Sequence, residues 1–168
     1  MKVLKKSTVC LFLMLLLTST SSVAVTKQWF STAGFYELAQ SGRTVMSMNP
    51  GWLFYKGDIK GAEAMNFNDQ AWEKVSLPHS LDVLPVDASS NANYQGVAWY
   101  RKHFRLPATL KGKRLVLYFE AVMGKCRVYV NGKLKAEHFG GYLPVEADFT
   151  DVADFSGDNV VSVCADNS

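Results

Sequence analysis

Turn chemistry recurs along this chain at intervals too short for long helices. Asn49-Pro50-Gly51, Lys56-Gly57-Asp58, Leu77-Pro78, Leu106-Pro107, Asn131-Gly132, Gly140-Gly141 and Ser156-Gly157-Asp158 cut residues 49–168 into short pieces. Between them lie runs rich in Val, Tyr, Phe and Trp, at 52–55, 98–106, 114–121, 127–130 and 159–165. Branched and aromatic side chains suit a pleated, half-buried surface, while Gly, Pro and Asn supply the angles that reverse a chain. Short strands with regular turns predict an all-β, antiparallel sandwich of the jelly-roll type.

Two segments carry the strongest local signals. Asn131-Gly132 joins 126–130 to 133–138, and both residues tolerate the positive φ of a type I′ turn, so a hairpin is expected. In 114–121, Leu115, Leu117, Phe119 and Ala121 alternate with Arg114, Val116, Tyr118 and Glu120, which predicts a strand with one buried face. Residues 68–74, with Asp69 near their start, suit one short helical turn before a strand at 75–77. Residues 25–48 form an arm whose 29–48 stretch has weak helical periodicity.

The beginning of the chain reads differently. Lys2, Lys5 and Lys6 precede the apolar run 9–17, which is followed by polar 18–22 and the small-x-small site Ser22-Val23-Ala24. Nine apolar residues are too few to span a bilayer, and this order describes a cleavable secretory signal over 1–24. Periplasmic or extracellular localisation is therefore expected. Cleavage removes three of the 18 basic residues and leaves 15 against 15 acidic ones. A neutral domain has no broad positive field for nucleic acid or an anionic membrane, so neither is an expected partner. Cys126 and Cys164 survive cleavage; export permits a disulfide, but their strand-like, apolar neighbours also suit two buried free thiols.

Little in the sequence suggests catalysis within the chain. His79, His103 and His138 are dispersed and lack the tight ligand pairs of a structural zinc site, and no G-x-S-x-G elbow occurs. Neither a metal nor another cofactor is expected. A glycosidase needs two facing carboxylates; Glu120, Glu137, Glu146, Asp148 and Asp166 exist by count, but strand position makes Glu120 and Glu137 solvated faces. The acidic stretch 146–158 could clip calcium but lacks EF-hand spacing, and a solvated loop explains it as well. Trp52, Trp72 and Trp99 are expected in the core, whereas Tyr94, Asn91 and Asn93 sit in the polar loop 89–95, where a sugar contact is easier to place.

A series of motifs runs in order along the chain, beginning with Asn49-Pro50-Gly51-Trp52, Gly57-Asp58, and Phe67-Asn68-Asp69-Gln70-Ala71-Trp72 leading to Leu77-Pro78-His79. Gly96-Val97-Ala98-Trp99-Tyr100-Arg101-Lys102-His103-Phe104 and Leu117-Tyr118-Phe119-Glu120-Ala121-Val122 follow. Val128-Tyr129-Val130-Asn131-Gly132, His138-Phe139-Gly140-Gly141-Tyr142, Asp148-Phe149-Thr150 and Ala165-Asp166-Asn167 complete the series. Each piece is weak alone; their order is the signal. In that order they resemble the N-terminal sugar-binding jelly-roll domain of family 2 glycoside hydrolases, a galactose-binding-domain-like fold, most similar to bacterial β-galactosidase-like members.

The resemblance implies that a β-galactoside or related glycan is the ligand. It also implies that the catalytic carboxylates lie downstream, on a TIM barrel after an immunoglobulin-like domain, and that the last strand or strands of the sandwich lie beyond Ser168. By the same resemblance Asp166, with Asn167 beside it, approaches a sugar hydroxyl; alternatively the two cap the strand end. The family commonly has Asp-Trp where Ser80-Leu81 stand. An exported hydrolase module, an independent carbohydrate-binding module and an inactive gene fragment all fit these residues.

Overall fold

The computed structural model describes residues 42–82 and 94–168. Eight strands and two 3₁₀ turns make up its regular structure. In chain order the strands are β1 (Trp52–Lys56), β2 (Glu73–Val75), β3 (Val97–Phe104), β4 (Val116–Phe119), β5 (Lys125–Val130), β6 (Lys133–Phe139), β7 (Val145–Asp148) and β8 (Asn159–Asp166). Six form an antiparallel sheet in the order β2-β1-β3-β8-β5-β6, and β4 pairs with β7 in a second, two-stranded sheet. This is the expected all-β sandwich.

The pleat sorts the large sheet into two faces. One carries Trp52, Phe54, Ala98, Phe104, Cys126, Val128, Val130, Val161 and Val163, packed on Leu115, Leu117, Val145 and Ala147 of the small-sheet layer. The other carries Trp99 and Cys164, covered by Ala62 and Trp72. Central strands are therefore buried on both sides; all of β8 but Asp166 is buried. The three tryptophans belong to these cores, with 2%, 8% and 3% of their surface exposed at Trp52, Trp72 and Trp99.

The second face also contains a buried charge network. Arg101, wholly excluded from solvent, donates to Asp69 at 2.7 Å and to Ser162 Oγ at 2.8 Å, and its Nη1 bonds the Ala62 and Ala64 carbonyls. His103 Nε2 lies 2.8 Å from the same carboxylate. Residues 57–72 are thus bolted to β3.

The hairpin forms as expected, with φ of 50° at Asn131 and 78° at Gly132. Leu115 and Leu117 are buried while Val116 and Tyr118 face outward. Elsewhere the structure departs from the sequence reading. Residues 69–72 close a single turn, Trp72 N donating to Asp69 O at 3.0 Å, without a helix, and β2 runs Glu73–Val75 rather than 75–77. The start of the acidic stretch is a strand, since Val145 and Ala147 alternate inward with Glu146 outward. Its aspartates disperse to separate partners: Asp148 to Arg114, Asp151 to Lys135, Asp158 to Arg105, and Asp154 to the Ser156 and Gly157 amides. Cys126 and Cys164 are buried and free. Cys164 pairs with Arg127, the residue after Cys126, so alternation sends the two thiols to opposite faces.

Candidate functional site

The start of β3, the end of β8 and the start of β5 meet at one end of the large sheet, because Asp166 pairs with both Val97 and Lys125. Two side chains of this end fix the backbone at Tyr94. Asp82 Oδ2 accepts from the Tyr94 amide at 2.9 Å, while Asn167 Nδ2 donates to the Tyr94 carbonyl at 2.9 Å. Asn167 Oδ1 also accepts from the Gly96 amide at 2.7 Å, and the Tyr94 hydroxyl donates to Val97 O at 2.7 Å. Lys56 bonds Asp82 and lies 5.1 Å from the centre of the Tyr94 ring. Gly96 has φ of 138°, and a Cβ there would sit 3.1 Å from the Tyr94 hydroxyl, so the close turn needs glycine.

Two hollows flank this collar. The first, about 370 Å³, is lined by Phe54, Lys56, Trp72, His79, Ser80 and Asp82 among others. His79 Nδ1 and the Tyr100 hydroxyl are hydrogen-bonded at 3.0 Å, and the Phe54 ring lies 4.7 Å from the His79 ring. Burial pushes the Tyr100 phenol up to about 12, so it remains neutral. Asp82 is held below the ordinary carboxylate range by the Lys56 hydrogen bond and then by the Tyr94 amide.

The second hollow, about 520 Å³, is lined by Lys125, Arg127, Glu137, Phe139, Cys164 and Asp166 among others. Asp166 is also held below the usual range, first by hydrogen bonds from Ser168, with the Lys125 and Arg127 charges adding to the effect. Arg127 Nη2 donates to Cys164 Sγ at 3.5 Å.

The expected site residues thus divide. Tyr94, Asn167 and Asp166 come together at one sheet end, but Tyr94 and Asn167 spend their polar atoms on the protein's own backbone, while Asp166 faces the second hollow. Asn93 and Asn91 lie outside the described residues. Sequence reasoning missed Lys56, Asp82, Lys125, Arg127 and Phe139, because Lys56, Lys125, Arg127 and Phe139 reach the region through strand pairing and Asp82 through its bonds to Lys56 and the Tyr94 amide. Among the described residues no three His, Cys, Asp or Glu side chains gather as a metal site.

Residues 58–167 match the family described as glycosyl hydrolases family 2, sugar binding domain. The chain belongs to glycosyl hydrolase family 2. A beta-galactosidase of Thermoanaerobacter pseudethanolicus is 37% identical over 127 residues, which cover 75% of this chain and 17% of that relative. A beta-glucuronidase of Formosa agariphila is 35% identical over 138 residues, covering 77% of this chain and 14% of that protein. Among solved structures, the Bacteroides uniformis beta-glucuronidase superposes with a TM-score of 0.67 at 34% identity, over 72% of this chain and 14% of the other. The chain therefore spans about one-sixth or less of these family 2 relatives.

Proposed function

We propose that this chain is the carbohydrate-binding module of an exported, β-galactosidase-like family 2 hydrolase, and that in the full-length protein immunoglobulin-like and TIM-barrel domains follow it. Its ligand is a β-galactoside or related glycan. Asp166 contacts that glycan, and Asn167 and Tyr94 shape the neighbouring backbone. Export rests on the basic, apolar and small-residue order of residues 1–24.

The observation that carries this reading is the family 2 sugar binding match together with the ionic and aromatic side chains around Asp166. Hydrolysis belongs to carboxylates outside the described residues. A glycosidase acid needs a raised pKa and a partner about 5–10 Å away. Asp166 and Asp82 are instead lowered. Glu137 and Asp166 stand two strands apart and two residues out of step, roughly 12 Å between their Cα atoms from sheet spacings.

Affinity electrophoresis of the folded chain through gels containing soluble β-linked galactan tests the reading. Retarded migration is expected; unchanged mobility across galactan and related β-linked glycans would contradict it.

A further inference from the structure

We propose that the groove over β6, β5 and β8 is the saccharide site, with Phe139 stacking on a neutral pyranose whose hydroxyls are held by Lys125, Arg127, Glu137 and Asp166. The inference rests on the carbohydrate-binding reading above and places the ligand within it.

Strand register builds the groove. Lys125 pairs with both Phe139 and Asp166, and Arg127 pairs with both Glu137 and Cys164. Residues paired across antiparallel strands stand on the same side of a sheet. Two rows, 139–125–166 and 137–127–164, therefore rise from one face. About 10 Å separates β6 from β8 and about 7 Å separates the rows, a footprint that takes a sugar ring. The hollow above them, about 520 Å³, has the size of a small-molecule site.

The chemistry of the rows selects the ligand. A pyranose presents an apolar C–H face and a rim of hydroxyls, each of which both donates and accepts. Phe139 is 76% exposed and supplies the flat apolar surface at one edge. Lys125 and Arg127 only donate; ionised Glu137 and Asp166 only accept. Donors and acceptors thus alternate across the groove, and two cations balance two carboxylates. A uronate or phosphate gains no net attraction from such a set, whereas a neutral hexose can satisfy all four groups. Cys164, 2% exposed, forms the floor, and its contact with Arg127 orients the guanidinium across it.

Amide chemical-shift titration of the folded chain with a neutral β-galacto-oligosaccharide, and in parallel with glucuronic acid, tests the assignment. Saturable shifts should centre on 125–127, 137–139 and 164–166. Phe139→Ala and Arg127→Gln should each weaken binding at least tenfold without moving the urea midpoint, since both side chains are exposed. Phe139→Tyr should bind like the parent, as should the distant Glu146→Ala. Saturable shifts centred instead on 94–96, with the groove unmoved, would overturn the groove while leaving the carbohydrate-module reading intact. So would tenfold tighter binding of glucuronic acid. Absence of any saturable shift with either sugar contradicts both.

Discussion

The Arg101 guanidinium meets the Asp69 carboxylate at 2.7 Å in a position closed to solvent, joining β3 to the 57–72 connection. Breaking a buried pair leaves the surviving charge uncompensated, which costs about 3–5 kcal/mol. Asp69→Ala should therefore lower stability by about 3 kcal/mol, toward the smaller end, because Arg101 keeps its bonds to Ala62, Ala64 and Ser162. Urea denaturation at neutral pH measures the loss.

The same carboxylate sets an acid limb. Burial alone raises Asp69, but hydrogen bonds from Arg101 and His103 outweigh it and hold the carboxyl below its ordinary value of 3.8. A carboxylate depressed on folding adds stability above its unfolded pKa, and that stability is lost as pH falls through the folded value. Unfolding free energy should thus decline below about pH 4, and Asp69→Asn should flatten that decline while lowering the neutral plateau. A pH series of urea midpoints reads both effects.

Gly124 holds φ of 82°, and a Cβ there would stand 2.0 Å from the Asp166 carbonyl oxygen. Gly124→Ala meets an unfavourable φ and a backbone clash together, so a loss above ~1 kcal/mol is expected. The displaced end of β8 should also weaken glycan binding, read by comparing thermal midpoint and affinity with those of the parent.

Asn167 bonds both Tyr94 O and Gly96 N through one side chain. Asn167→Asp removes the donor and sets a carboxylate against the Tyr94 carbonyl. A loss of about 1–2 kcal/mol and faster hydrogen exchange at the Gly96 amide are expected.

How much of this was legible varied with the range of the interaction. The Asn131-Gly132 hairpin and the Leu115/Leu117 alternation are local, and both are written in adjacent residues. Asn131 was read only as a turn former, yet its side chain also accepts from the Val160 amide and donates to Asn159, tying the hairpin to the start of β8. That role spans 29 positions and no local pattern encodes it. The groove was invisible for the same reason: Phe139, Lys125 and Asp166 become neighbours only through pairing in register. The acidic stretch misled because the strand at Val145–Asp148 is short and its outward residues are acidic.

The central claim is that sugar is held by this domain while bond cleavage is carried out by groups outside it. Titrating the purified folded chain with nitrophenyl β-galactoside, with binding heat and nitrophenolate release recorded on one sample, tests both halves together. Saturable heat with no release is the expected result. Nitrophenolate release that disappears when the chain is unfolded, or no saturable heat, would contradict the claim.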